Sequence, residues 1–112
     1  MDILVHPAST ENASGNSVSF NSGNMGVTGL FVNVLGVSGT LPTLVVSIQH
    51  SPDNVTWYNV PNLITASLAN VTSTSIMLGS LTSLAPYVRC VWTLGGVNPN
   101  FTFSADLVTF PL

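Results

Sequence analysis

Residues Gly29–Val60 read GLFVNVLGVSGTLPTLVVSIQHSPDNVTWYNV, and this stretch decides the fold. Leu30, Val32 and Val34 share one parity, as do Leu44, Val46 and Ile48, in runs rich in β-branched residues. Alternation at period 2 in such residues marks a half-buried strand. Gly36, Gly39 and Pro42 punctuate the space between the two runs, which predicts a connection there. Ser51-Pro52-Asp53-Asn54 predicts a second turn, because Pro pre-sets φ and the Asp and Asn side chains bond their own backbone. A third strand then begins at Val55, with Trp57 and Tyr58 on opposite faces.

Working outward, strands are expected over Leu63–Ser67, Ser73–Leu78 and Tyr87–Thr93. Gly95-Gly96 and Pro99 mark a turn, and Phe101, Phe103, Ala105 and Leu107 alternate with polar residues in a last strand. Leu81–Leu84 has room for one helical turn; no longer stretch carries a 3.6 period. Upstream, residues 2–6 form a short strand ended by Pro7, and Ala8–Asn24 is polar and rich in Ser, Asn and Gly, with Ser17–Phe20 as its one strand-like run. Residues 1–24 therefore read as an N-terminal arm or edge segment and residues 25–112 as the folded domain. Short strands at regular spacing with turn signals between them predict an all-β protein, a single-domain antiparallel β-sandwich. A jelly-roll-like order and an immunoglobulin-like Greek key both fit. The expected core is Leu30, Val32, Val34, Leu44, Val46, Ile48, Trp57, Ile76, Leu78, Val88, Cys90, Trp92, Phe101, Phe103 and Leu107.

Charged residues make up 4% of the 112 residues, against about a quarter in an average soluble domain. Arg89 is the only Lys or Arg, and the carboxylates are Asp2, Glu11, Asp53 and Asp106. One cation cannot neutralise a run of phosphates, so nucleic acid is not an expected partner. The same shortage removes a polybasic membrane anchor, no run approaches the apolar length of a spanning helix, and Met1–Pro7 shows no secretory signal. A surface with so little charge is poorly protected against association, which points to life in an assembly.

Catalytic chemistry is not expected from this inventory. His6 lies in the arm, His50 closes a strand, and the carboxylates are scattered, so neither a general acid–base pair nor a metal-ligand spacing is visible and no cofactor is implied. Cys90 is the single cysteine and falls on the apolar parity, where a thiol behaves as a small hydrophobe. Arg89, flanked at ±2 by Tyr87 and Val91 on the outward parity, reads either as an interface anchor or as an intramolecular ion pair with Asp53 or Asp106. Phe31 and Tyr58 also fall opposite the core set, and Ile3 and Val5 are the apolar residues of the arm, which could pair with a neighbour's sheet edge. These seven are the candidate interface residues. Exposed aromatics could instead stack on sugar rings, but both tryptophans fall at expected core positions.

The succession Val37-Ser38-Gly39-Thr40-Leu41-Pro42-Thr43-Leu44, Ser51-Pro52-Asp53-Asn54-Val55-Thr56-Trp57, Tyr87-Val88-Arg89, Val91-Trp92-Thr93-Leu94-Gly95-Gly96 and Phe101-Thr102-Phe103-Ser104 resembles small structural proteins of tailed bacteriophages and prophages. The resemblance spans about residues 12 to 107 and rests on turns and core positions. Where such proteins often carry Asp-Gly before the Trp, this chain has Asp53-Asn54, and its charge is far lower than theirs. The resemblance implies a capsid decoration (cement) protein, made in the host cytoplasm and bound to the outer capsid surface. Its implied partners are the major capsid protein and its own copies in a homotrimer. A tail, neck or head-fibre component is the related alternative, and a glycan- or receptor-binding β-sandwich module is the alternative from another class.

Overall fold

The computed structural model describes residues 2–23, 25–60 and 66–111. All of the regular structure among them is antiparallel β: β1 (Asp2–Glu11), β2 (Gly15–Asn16), β3 (Phe20–Asn21), β4 (Gly26–Ser51), β5 (Tyr58–Asn59), β6 (Ala66–Leu68), β7 (Thr72–Ser83) and β8 (Tyr87–Phe110). Two of these strands are far longer than the sequence suggests. The runs around Leu30 and Leu44 belong to one strand, β4, and those around Val88 and Phe103 belong to β8.

The expected connections at Gly36–Pro42 and Gly95–Pro99 are not turns. They lie opposite one another in the β4–β8 ladder, with Thr40 facing Val97 and Thr43 facing Gly95, and the register slips between Ser38 and Thr40 and between Thr40 and Thr43. Such bulges bend a ribbon without ending it. The bend is large. A straight strand of β4's 26 residues would reach about 85 Å at about 3.3 Å per residue, whereas the molecule's longest dimension is 42 Å. The ribbon therefore doubles back, and its two halves pack face to face as a β-sandwich. Trp92 and Phe103, from opposite halves of β8, meet with ring centroids 6.2 Å apart.

In the first half the strand order is β1, β8 (101–110), β4 (26–38) and β7; in the second, β8 (87–94) and β4 (43–51) carry β2 and β3 on one side and β5 and β6 on the other. The inward parity is the one the sequence predicts: Leu30, Val32, Val34, Leu44, Val46, Ile48, Val88, Cys90, Trp92, Phe101, Phe103 and Leu107 are buried. Each large side chain so buried contributes about 1.5–3 kcal/mol before chain entropy offsets it. The side chains of Ile76 and Leu78 lie outside the described residues, as does most of the strand expected at Leu63–Ser67. β7 runs through to Ser83, which removes the helical turn expected at Leu81–Leu84.

The N-terminal segment also departs from expectation. Residues 2–11 form a full edge strand on β8, and Ile3 and Val5 lie in the core, Val5 with no exposure at all. Residues 13–22 are laced to β8 largely by serines: Cys90 N–H donates to Ser17 Oγ (2.9 Å), Leu94 N–H to Ser14 Oγ (2.9 Å), and Trp92 Nε1 to the Ala13 carbonyl (3.0 Å). Side-chain hydroxyls here replace ladder bonds that a regular strand would make with its backbone.

The bend depends on Gly39 and Gly96, at φ 115° and 99°. A Cβ on Gly39 would stand 2.7 Å from the Asn98 carbonyl oxygen, and one on Gly96 2.5 Å from that of Leu41. Gly36 is different, since a Cβ there would meet Thr102 at an ordinary 3.7 Å. Gly96→Ala should therefore lose about 2–4 kcal/mol of stability, a fall of roughly 10 °C in Tm, whereas Gly36→Ala should stay within about 1 kcal/mol. Thermal melts of the two variants check this, and equal melts would contradict the role given to the bend.

Candidate functional site

The second half of the sandwich turns Tyr87, Arg89 and Val91 of β8 outward, since Val88, Cys90 and Trp92 point in. Register places Arg89 opposite Gln49 on β4, and Gln49 opposite Asn59 on β5, so the three form one row across the sheet. Arg89 Nε and Nη2 both donate to Gln49 Oε1, at 2.9 and 2.8 Å, and Gln49 Nε2 donates to Asn59 Oδ1 at 3.4 Å. The guanidinium carbon lies 4.4 Å from the centroid of the Trp57 ring. A guanidinium over a tryptophan face is a favourable cation–π pair, and Gln49 fixes its orientation.

Trp57 reaches this position through the turn before it. Asp53 Oδ1 accepts the N–H groups of Val55 and Thr56, both at 2.9 Å, and the hydroxyl of Ser51 at 3.0 Å. Those bonds, led by Thr56, hold the Asp53 carboxyl below its usual range. Asn54 takes the left-handed conformation, φ 63°, that asparagine tolerates. The turn expected at Ser51–Asn54 is thus present, but the strand after it shrinks to Tyr58–Asn59, and Trp57 sits half-buried against Arg89 on the outer face instead of in the core.

Arg89 accordingly follows neither intramolecular pairing expected for it. Among the described residues no carboxylate lies within ion-pair distance of its guanidinium, and its partners are Gln49 and Trp57. Of the other interface candidates, Ile3 and Val5 are core residues, which withdraws them from a surface role. Phe31 is 38% exposed on the outer face of the opposite half, and Tyr58, 55% exposed, stands on edge strand β5 across from His50. The structure brings Tyr87, Arg89 and Val91 together and leaves Phe31 and Tyr58 apart from them. Gln49 and Trp57 went unpredicted; parity alone puts Gln49 outward with Arg89, and that signal was open to use.

Two other side chains named in the sequence are structural. Burial pushes the Cys90 thiol up to about 12, as expected of a small hydrophobe. His6 is buried, donates from Nδ1 to the Phe103 carbonyl at 3.0 Å, and stacks on the Phe103 ring with centroids 3.9 Å apart. Its Nε2 faces Glu11 Oε1 at 3.6 Å. Within the described residues the surface has no enclosed pocket and no cluster of metal-ligating side chains.

The fold is that of the β-sandwich class, and solved structures of that class resemble it. The chain is similar to the CBM32 of AlyQ, solved in complex with 4,5-unsaturated mannuronic acid, with a TM-score of 0.56 and 16% identity over 88% of this chain and 74% of that one. It is also similar to the SPBc2 prophage-derived protein YomS, with a TM-score of 0.47 and 13% identity over 96% and 90% of the two chains. No protein-family model and no curated protein sequence matches it.

His50 supports the start of β8 from below. Its Nδ1 accepts the Ala85 N–H at 3.1 Å, a bond available only to a ring whose Nδ1 carries no proton, and partial burial lowers its pKa. A histidine with a lowered folded-state pKa contributes stability above its unfolded value near 6.5 and loses it as pH falls toward the folded value. The urea midpoint should therefore drop between pH 7 and pH 5, and drop less in His50→Asn. Parallel pH profiles for the two proteins would remove His50 from this role.

Proposed function

We propose that this chain is an architectural virion subunit of the capsid decoration type, binding the outer surface of a bacteriophage head and bridging neighbouring capsid proteins. One observation carries the reading: both outer faces of the sandwich mix amides and hydroxyls with exposed apolar side chains, and almost no charge interrupts them. Leu4, Phe31 and Leu35 are exposed on one half, and Tyr87, Val91 and Trp57 are partly exposed on the other. Faces of this composition suit broad, repeated contact better than they suit life alone in water. Many modest contacts repeated over a lattice add up through avidity. The work is then done by surfaces, with no side chain performing a reaction.

A specific observation favours a second reading, glycan binding. Trp57 is not in the core, and its ring stands against the guanidinium of Arg89, which is itself bonded to Gln49 in a row that continues to Asn59. In the CBM32 of AlyQ a sandwich of this fold holds a uronic acid.

Adding purified protein to empty heads of the phage that encodes it decides the first reading. Saturable occupancy and a raised melting temperature of the heads are expected; heads that ignore the protein at high concentration would end it. Electrophoresis through gels containing uronate polysaccharide decides the second. Retardation of the wild type that Trp57→Ala abolishes supports a glycan site, and equal mobility of the two proteins rules it out.

A further inference from the structure

The few charges of this chain are not all accounted for inside it. Among the described residues, Glu11 lies beside His6, and Asp53 is taken up by its own turn. Two charged side chains face outward with no charged partner in the described structure: Arg89 and Asp106. They sit on the same strand, β8, but on different halves of the doubled ribbon, so they look out from opposite sides of the sandwich.

Their surroundings match. Asp106 lies between Leu4 on β1 and Phe31 on β4, the three directly in register across the sheet. Leu4 is 47% exposed, and Asp106 is half-buried between its neighbours. Arg89 lies between Tyr87 and Val91 along β8 and against Trp57, held in place by Gln49. One face is thus a carboxylate in an apolar row, and the other is an oriented guanidinium in an apolar and aromatic surround. Arginine–carboxylate pairing is strongest in such partly desolvated, pre-oriented geometry. The Nη1 group of Arg89 makes no bond to any described residue, which leaves it available to a carboxylate.

We infer that the Asp106 face of one copy docks on the Arg89 face of a second copy of this chain, in a head-to-tail contact. Because the two patches differ and lie on opposite sides, the contact is heterologous. Repetition closes it into a ring or extends it as a chain, depending on the rotation per copy. This rests on the outer faces being contact surfaces, as proposed above, but it needs no capsid. The occupant is the chain itself because the charge complement and apolar surround of each patch are both found on the same molecule.

Sedimentation velocity from about 10 µM to about 1 mM tests it on the purified chain. The wild type should associate. Arg89→Glu and Asp106→Arg should each weaken association by at least about 30-fold, the lower end of what breaking a buried charge pair removes. An equimolar mixture of the two single variants should regain association with the two alternating along the assembly, since the original pair joins one side and the reversed pair the other, and the double variant should associate as the wild type does. Leu4→Ser reads the same face without touching a charge and should also weaken association. A wild type that stays monomeric throughout the range overturns the inference, as does a reversal that acts on one face only. A wild type that stays monomeric yet occupies phage heads removes the self-contact and leaves the decoration reading standing; association as described, with heads ignored, does the reverse.

Discussion

Everything in this molecule depends on one ladder bending back on itself. β4 and β8 pair along nearly their whole lengths, and the bend midway is what turns a long ribbon into two packed layers. At that point two backbones must approach more closely than any Cβ allows, and Gly39 and Gly96 are the residues that permit it. The approach also forces Leu41 and Asn98 to positive φ, at 48° and 49°, with Leu41 85% exposed. A leucine held in the left-handed region costs about 1–2 kcal/mol, a strain the paired ladders on either side are long enough to hold. Once the ribbon is folded, the inward parity of both halves becomes a single core. The outward parity becomes two separate faces.

This explains how much was legible in the sequence. Parity within strands carries the core, because alternation survives however the strand is later bent. Leu30, Val46, Cys90 and Phe103 all fall where alternation puts them, and Arg89 falls outward for the same reason. What sequence reasoning could not see is that two segments rich in Gly and Pro face one another. Each alone has the chemistry of a turn, and only their mutual pairing makes them a bend. Trp57 was misplaced because the chain after the Ser51 turn keeps only Tyr58–Asn59 in regular strand, so no alternation there fixes which way the ring faces. Val5 and His6 are consecutive and both buried, which no period-2 pattern allows; a bulge between Leu4 and His6 is responsible. The Ser/Asn segment before β4 has no periodicity at all, because its bonds to β8 join residues over seventy positions apart.

The site region was only partly visible. An outward Arg89 flanked by Tyr87 and Val91 follows from the strand itself. Its clamp by Gln49 follows from the register between β4 and β8, which no single strand encodes, and its stacking on Trp57 follows from the turn that Asp53 organises. Three separate local structures converge on one guanidinium. The residue chemistry was readable in the chain, and the convergence was a product of the fold.

The edges bear on how such a chain meets its neighbours. A sheet edge with free backbone groups invites a strand from another molecule, and an N-terminal arm was expected to make that kind of contact. β1 is the edge of its half, yet it is poorly made for strand addition. Pro7 interrupts its donors, and its register slips between Leu4 and His6 and again between His6 and Ser9. In the second half the outer side of β8 is already covered by β2 and β3 and by the serines around them. Proline and bulges are the devices by which natural sheets blunt their edges. Along these two flanks association is left to the faces, where side chains alone decide what fits. On faces so poor in charge, apolar and amide groups supply area but little register, since they tolerate sliding. The oriented Arg89 cation on one face and the Asp106 carboxylate on the other are then the features able to fix where a neighbour comes to rest.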